Sequence, residues 1–219
     1  LGCWSTPKTT GSVPPPRLHH TAALVGKLMY IFGGATARLP LGPGAAPGAE
    51  LLGELDVYAT DKAAWSHPRT TGTAPEPTAA HTCVVVGGDL VLFGGCTRTG
   101  PTDAMYRFST VRRVWTRETP AAGAPAPCAR YGHCACVLRQ TMYVYGGFDG
   151  TRCLNDLWAY DLAAKRWSLV APKSGAPAPC AFAQMSPIDA FRFLVTGGKD
   201  GARLLEQCLV FDAMEGVWK

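Results

Sequence analysis

Two residue types that could bind a ligand recur with the same spacing along the chain. Arg17 and His20 are three residues apart, and so are Arg130 and His133. Histidine nitrogens bind metals such as zinc, whereas the planar fork of arginine suits carboxylates. The pattern therefore raises two hypotheses, a metal site built from histidines and a binding site for an acidic group.

Two further segments carry the pattern with other residues, Thr78 with His81 and Ala181 with Gln184. Because the last segment offers only an amide and no carboxylate accompanies the set, we predict no metal and no cofactor. We expect the histidines to be structural, bonded to neighbouring backbone. The two arginines are expected where no core needs a guanidinium, either in a partner-binding site or as solvated loop charges.

The rest of the sequence contains no catalytic pattern, so we predict that the chain is not an enzyme. No nucleophile–base pair, phosphate-binding glycine loop or pair of catalytic acids is recognisable. The net charge of +5 is spread over 219 residues, which argues against nucleic-acid binding. No apolar run reaches the roughly 18 residues of a membrane span, so we expect no membrane insertion.

The nine cysteines are an odd number and include no C-x-x-C pair. Cys128 and Cys180 both follow Pro-Ala-Pro, and we align them at one repeat position. Disulfide frameworks are typical of smaller secreted domains, so we interpret these as reduced, mostly buried thiols. This favours a cytoplasmic protein, with a cytoskeletal or ciliary location as a finer alternative. The chain begins at Leu1, and we expect it to be a piece of a longer protein.

The elements that position these residues form a repeat of about 50 residues, present four times. Each unit has a Gly-Gly pair, then an aromatic residue, then a Trp seven residues later. Repeats of this length are typical of radial or solenoidal arrays, and we assign these positions to the scaffold. They are Gly33, Gly34, Tyr58, Trp65, Gly94, Gly95, Phe108, Trp115, Gly146, Gly147, Tyr160, Trp167, Gly197, Gly198, Phe211 and Trp218.

Each unit is predicted to contain four short strands, so the chain is all-β. In the third unit, alternation and aromatic enrichment predict strands at 131–138, 142–145, 157–160 and 166–170. We divide the chain into units at 13–73, 74–123, 124–175 and 176–219, the last truncated at its outer strand. Residues 1–12 are assigned to the outer strand of a preceding unit. Pro-rich stretches separate the units, and the Gly/Pro/Ala segment 38–50 is predicted to be an inserted surface loop.

With the glycine pairs, the spaced aromatic residue and Trp, and Pro-x-Pro-Arg-x-x-His in view, the chain resembles the kelch-repeat family. The resemblance covers essentially all 219 residues. It implies a β-propeller in which each repeat forms a four-stranded antiparallel blade around a central channel. Such propellers usually have six or seven blades, so the four repeats imply part of a larger ring. The alternative is that residues 3–5 complete the last blade and close a four-bladed ring.

The resemblance also implies a non-catalytic protein–protein interaction module, a scaffold or adaptor that binds through the loops at one rim. The ligand hypothesis is a protein partner, an acidic peptide, a chain-terminal carboxylate or a multi-subunit complex. When the partner-binding rim of the family is mapped onto this sequence by repeat position, it includes Leu18, Ala79 and Asp200. The residues assigned to partner binding are Arg17, His19, Arg38, Thr78, Arg98, Arg130, Tyr131, Asp149, Arg152, Phe182 and Lys199.

Two alternatives within the resemblance stay open. One is the substrate-recognition propeller of a ubiquitin ligase, which would need a partner domain outside this segment. The other is a copper radical oxidase of the galactose-oxidase type, which would need a Tyr/His ligand set and a secreted setting. The repeated histidines do not supply a convincing ligand set, and the odd thiol count argues against secretion.

Overall fold

The described residues form four large β-sheets, the blades of a propeller, arranged side by side, and two small two-stranded sheets in the loops of the second and fourth blades. A computed structural model describes residues 4–36, 50–174 and 177–219, and within these ranges it contains no helix. Every blade has four antiparallel strands connected in chain order. The prediction of an all-β propeller with four-stranded blades is therefore confirmed.

The strands of the four blades follow one another along the chain. The first blade contains β1 (Thr10–Gly11), β2 (Thr21–Val25), β3 (Leu28–Phe32), β4 (Leu55–Ala59) and β5 (Ala64–Ser66). The second contains β6 (Thr71–Gly72), β7 (Thr82–Val86), β8 (Asp89–Phe93), β9 (Cys96–Thr97), β10 (Gly100–Pro101), β11 (Met105–Ser109) and β12 (Val114–Glu118). The third contains β13 (Cys134–Leu138), β14 (Thr141–Tyr145), β15 (Leu157–Asp161) and β16 (Arg166–Val170). The fourth contains β17 (Gln184–Pro187), β18 (Arg192–Thr196), β19 (Lys199–Asp200), β20 (Arg203–Leu204), β21 (Cys208–Asp212) and β22 (Val217–Trp218).

The first long strand of each blade is its inner strand. The four inner strands are β2, β7, β13 and β17, and each contacts the next in that order. In the third blade the predicted strands match closely, except that the inner strand begins at Cys134 rather than at residue 131. Residues 131–133 instead form the backbone approach to that strand, with a single bridge between Tyr131 and Phe148.

Two blades carry a fifth strand that the sequence did not predict. Thr10–Gly11 runs parallel to β5, and Thr71–Gly72 runs parallel to β12. Residues 1–12 were assigned to a preceding unit, but their only described strand pairs with the first blade. In the same way Thr71–Gly72, placed in the first unit, belongs to the second blade. The segment that joins two blades therefore crosses the outer edge of the later blade.

Large rings fill the seams between neighbouring blades. Within each blade the repeated aromatic residue and the Trp are opposite each other on adjacent strands, as at Phe108 and Trp115, whose ring centroids are 4.7 Å apart. The Trp also packs on the residue before the glycine pair of the preceding blade. Three ring pairs cross the seams in this way, at 5.1, 5.1 and 5.2 Å: Phe32 with Trp115, Phe93 with Trp167, and Tyr145 with Trp218.

The glycine pairs allow the close approach that these seams need. Gly95 has φ of +114°, and a Cβ there would lie 2.4 Å from the Thr78 hydroxyl and 2.9 Å from His81. Its amide donates to the Arg130 carbonyl of the next blade at 2.8 Å. A side chain at this position would have a strained backbone angle and would collide with Thr78 and His81, which precede the inner strand of the same blade, so glycine is required.

The inserted loop predicted at 38–50 lies, apart from Glu50, outside the described residues, as does Arg38. The eight described cysteines are free. Cys134, Cys136 and Cys180 are buried, whereas Cys128 and Cys208 are exposed, so the thiols are less uniformly buried than expected. No helix in the described segments is long and apolar enough to cross a membrane.

Candidate protein-binding face

One end of the propeller collects the described residues that the sequence assigned to partner binding. At this end, here called the top face, the inner strands begin and the second strands end in glycine pairs. The pairing of Thr21 with Phe32, and of Cys134 with Tyr145, places both features together in each blade. The opposite end is formed by the tight hairpins between strands. Because neighbouring strands in each blade are antiparallel, the loops that precede the inner strands and follow the glycine pairs lie on the same face in all four repeats.

Arg130 is not a free binding group. Its guanidinium is fully buried and forms a bidentate pair with Asp156, at 2.7 and 2.8 Å. It also donates to the carbonyls of Gly146 at 3.0 Å and Cys128 at 3.1 Å. Burial would raise the pKa of Asp156, but the hydrogen bonds and charge of Arg130 outweigh it and lower the pKa. The expectation that no core needs this guanidinium is wrong, because it joins three loops of the third blade.

Arg17 performs the same task in the first blade. Its Nη2 atom lies 2.7 Å from Asp56, and its Nη1 donates to the Gly33 carbonyl at 3.2 Å. Only 4% of the Arg17 side chain is exposed. His67 shares the same carboxylate, with Nδ1 3.1 Å from Asp56. The expectation of a free guanidinium is therefore wrong here as well.

The fourth repeat was aligned one residue out of register. The amides of Gly34, Gly95 and Gly147 donate to Thr78, Arg130 and Cys180 respectively, so Cys180 holds the position of the arginine. The fourth-unit counterparts of the arginine and histidine are therefore Cys180 and Ala183, not Ala181 and Gln184. The same register shows that Cys128 and Cys180 are not equivalent. Pro-Ala-Pro-Cys is therefore not a common reference point, because the fourth unit is two residues shorter between this motif and the arginine position.

The repeated histidines join neighbouring inner strands. The His81 Nε2 lies 2.8 Å from the Thr21 hydroxyl, and the His133 Nε2 lies 2.8 Å from that of Thr82. Burial, with a smaller contribution from the charge of His20, lowers the pKa of His81 to about 3. Burial and then Arg130 lower the pKa of His133 to about 3. Both rings are neutral at pH 7, and they support structure by bonding a threonine side chain of the preceding blade.

A chain of backbone hydrogen bonds connects the four blades around the channel. Ala80 donates to His19 at 2.8 Å, Gly132 to Ala80 at 2.7 Å, and Phe182 to Gly132 at 2.6 Å. All four residues have left-handed backbone angles, with φ between 56° and 64°. Below them the channel is a cavity of about 290 Å³ lined by the beginnings of all four inner strands. The structure therefore fixes His19 and Phe182 at the channel rim.

Aromatic side chains of the third and fourth blades form a patch beside this rim. The ring of Phe182 lies 5.4 Å from His19 and 6.4 Å from Tyr131, and Tyr131 lies 5.5 Å from Phe148. The Lys199 ammonium is 5.2 Å from the centre of the Phe182 ring. We call Tyr131, Phe148, Phe182 and Lys199 the aromatic patch. A shallow cavity of about 130 Å³ lies among them, also lined by Cys153, Ala181 and Gly201.

The remaining assigned residues divide into buried and exposed groups. Thr78 is buried and donates to the Cys96 carbonyl, and Tyr131 is only 5% exposed. Arg98 is exposed, and Arg152 has 80% of its side chain exposed. Asp149 accepts bonds from the backbone of its own turn and lies 3.7 Å from Arg152. Arg98 and Arg152 are thus exposed cations on the turns after two of the glycine pairs.

The sequence interpretation missed Phe148 as a patch residue and missed the partners of the arginines. Phe148 directly follows a glycine pair, where the other units have Ala35, Cys96 and Lys199. A single large aromatic residue at a variable, half-exposed position was the available signal. For the arginines, the signal was an acid near the start of the third strand, as at Asp56 and Asp156.

Comparison with known proteins agrees with this architecture. The family model described as the KLHDC2/KLHL20/DRC7 Kelch-repeats domain matches residues 2–125 and 42–219. The chain belongs to the kelch-repeat family. It is 34% identical over 193 residues to Host cell factor 2 of Homo sapiens, covering 72% of this chain and 22% of that protein.

Other kelch relatives are equally partial matches. Identity is 29% over 218 residues with the Host cell factor homolog hcf-1 of Caenorhabditis elegans, covering 90% of this chain and 26% of the relative. It is 32% over 197 residues with the Serine/threonine-protein phosphatase BSL2 of Arabidopsis thaliana, covering 82% and 19%. The chain thus spans about a quarter or less of these relatives. Kelch propellers of this kind are generally protein-interaction modules, although BSL2 carries the name of an enzyme.

Proposed function

We propose that this kelch segment is a non-catalytic scaffold or adaptor module that binds a protein partner through the aromatic patch. The observation that carries the proposal is Phe182. It is a large, half-exposed ring at φ of +61°, where the third blade has Gly132. The other blades have His19, Ala80 and Gly132 at this left-handed position, so the large apolar ring is peculiar to the fourth blade.

The composition of the patch supports a protein ligand. Tyrosine and phenylalanine are enriched at the centres of protein interfaces, where they bury large areas with little loss of side-chain entropy. Lys199 over the Phe182 ring adds a cation that a partner carboxylate can approach. Arg98 and Arg152 are exposed cations on the same face. We therefore keep an acidic partner segment as the favoured ligand, bound by these three cations rather than by Arg17 and Arg130.

The test compares proteins captured from cell lysate by the wild-type protein and by two matched variants. Phe182→Ala removes the ring at the top face, whereas Phe191→Ala removes an exposed ring in the β17–β18 hairpin at the opposite end. We expect at least one captured protein to be lost with Phe182→Ala and retained with Phe191→Ala, at unchanged melting temperatures. Identical captured sets for all three proteins would overturn the proposal.

The acidic character of the partner has its own variant. Arg98→Glu with Arg152→Glu reverses two exposed charges that lie outside every blade core. If the partner segment is acidic, its affinity should fall about tenfold or more at low ionic strength, with a smaller fall in high salt. Unchanged binding would leave the aromatic patch in place but contradict the acidic ligand.

A further inference from the structure

The second blade has a cavity at the position that a guanidinium occupies in the third blade. Thr78 takes the place of Arg130, because their carbonyls accept from equivalent glycine amides of the preceding blade. Ala104 takes the place of Asp156, because their carbonyls accept from the equivalent amides of Gly94 and Gly146. Both members of the buried ion pair are thus replaced by small residues.

The space left by this replacement is open. A cavity of about 160 Å³ is lined by Glu76, Thr78, Gly94 and Ala104, among others. Glu76 is the counterpart of Cys128, two residues before the arginine position, and Cys128 supplies a carbonyl and a thiol to Arg130. The residues that surround the guanidinium of the third blade therefore have counterparts around this cavity.

One acceptor in the cavity lacks a donor. In the other three blades the first glycine of the pair accepts a side-chain hydrogen bond. The three bonds are Arg17 to Gly33 at 3.2 Å, Arg130 to Gly146 at 3.0 Å and Gln207 to Gly197 at 2.8 Å. Across the described ranges, no donor reaches the buried Gly94 carbonyl. Buried carbonyls are normally paired, so the site is suited to a donor from outside the chain.

The charge at the cavity favours a cationic donor. Glu76 is exposed at the opening and forms no ion pair with any described residue. It is the repeat counterpart of Cys128, whose sulfur lies 3.4 Å from Arg130 Nη2, and we infer that its carboxylate can replace the anion lost at Ala104. Arg117 also lines the opening, but it is an exposed residue of β12 and no described bond connects it to Gly94.

We propose that this cavity binds an arginine side chain of the protein partner. The guanidinium donates to the Gly94 carbonyl and pairs with the Glu76 carboxylate, reproducing from outside the contacts that Arg130 makes within its own blade. The inference rests on the proposed function, since the arginine belongs to a protein docked on the top face. The top face would then bind its partner at two places, the aromatic patch and this cavity for a partner arginine.

The test titrates N-acetyl-arginine amide into isotope-labelled protein and follows the backbone amide resonances. We expect saturable shifts at Thr78, Gly94 and Ala104. Ala104→Asp restores the carboxylate of the third blade and should tighten binding about tenfold, the effect of one charge-assisted hydrogen bond. Glu76→Gln should weaken binding by a similar factor. Thr78→Arg places the chain's own guanidinium in the cavity and should abolish binding.

Two results would overturn the proposal. One is an absence of saturable shifts in both the wild type and Ala104→Asp. The other is equal binding of N-acetyl-citrulline amide, which has the same shape without the charge. Phe191→Ala, at the opposite end, serves as the folding and specificity control. Because the probe does not use the aromatic patch, a failed titration with intact partner capture rejects only the arginine site, and the reverse result rejects only the patch.

Discussion

The seams between blades and the top face above them are built from the same four repeats, but they differ in how much they vary. At the seams, Trp115, Trp167 and Trp218 are all buried and contact equivalent rings. At the top face, the arginine position holds Arg17, Thr78, Arg130 or Cys180. The seam must satisfy one packing geometry in every blade, whereas the face needs only a common backbone. Variation between repeats therefore marks where this fold can acquire a specific ligand.

The largest expected effect comes from breaking a seam. Trp115→Ala should cost about 3–5 kcal/mol in the free energy of unfolding, because it leaves a cavity between two sheets. Trp65, the counterpart in the first blade, is only half-buried, so Trp65→Ala should cost less than half as much in this chain. Urea denaturation of both variants measures the difference.

The same pair of variants tests the predicted larger ring. In a longer protein with a preceding blade, Trp65 would be covered, and both substitutions should then have similar costs. Equal costs already in the 219-residue chain would contradict our account of the seam. They would show that the indole contributes mainly within its own blade, through its contact with Tyr58 at 4.9 Å.

The next effect separates the buried arginines from the exposed ones. Arg130→Ala should cost about 3–5 kcal/mol, because it leaves Asp156 without its partner and removes donors from two carbonyls. Arg130→Lys should recover little of this, since lysine cannot form the bidentate pair. Arg152→Ala is the matched control and should change stability by less than about 0.5 kcal/mol. Denaturant unfolding measures all three.

Partner capture on the same variants decides between the two roles of Arg130. If Arg130→Ala abolished capture while its unfolding free energy stayed at the wild-type value, the guanidinium would be a binding group and our structural assignment would fail. Loss of capture together with loss of stability is the expected combination.

The seam was predictable from the sequence, and much of the top face was not. The glycine pairs and the aromatic–Trp spacing recur because the packing recurs, so self-alignment finds them. The sequence does not connect Arg130 with its partner Asp156, which is 26 residues away, on a loop that only the folded blade brings close. Phe182 was found by position, but its contact with Lys199 needed the structure. The alignment of the fourth repeat with the other three was wrong because the fourth repeat is shorter before its inner strand. From a single sequence, missing residues at that point cannot be distinguished from substituted ones.

The most selective effect should come from the two seam histidines. Their pKa values are lowered from 6.5 to about 3, so the unfolded chain binds protons that the folded chain does not. Stability is therefore fully present above pH 6.5 and falls as the pH is lowered. Below pH 6.5 the slope should approach about 2.7 kcal/mol per pH unit, the value for two protons.

The window from pH 6.5 to 5 is selective for histidines, because most carboxylates begin to titrate only below it. His20, whose pKa is also lowered by burial and by the charge of Arg17, contributes to the same window. Urea unfolding at half-unit steps of pH measures the slope. In His81→Gln with His133→Gln, the amide nitrogen can still donate to Thr21 and Thr82, so the seam hydrogen bonds persist without a titrating ring. The double variant should lose most of its pH dependence in this window, with the contribution of His20 remaining. An unchanged slope would mean that the acid sensitivity lies outside the seam, and that the inner strands tolerate a charged ring between them.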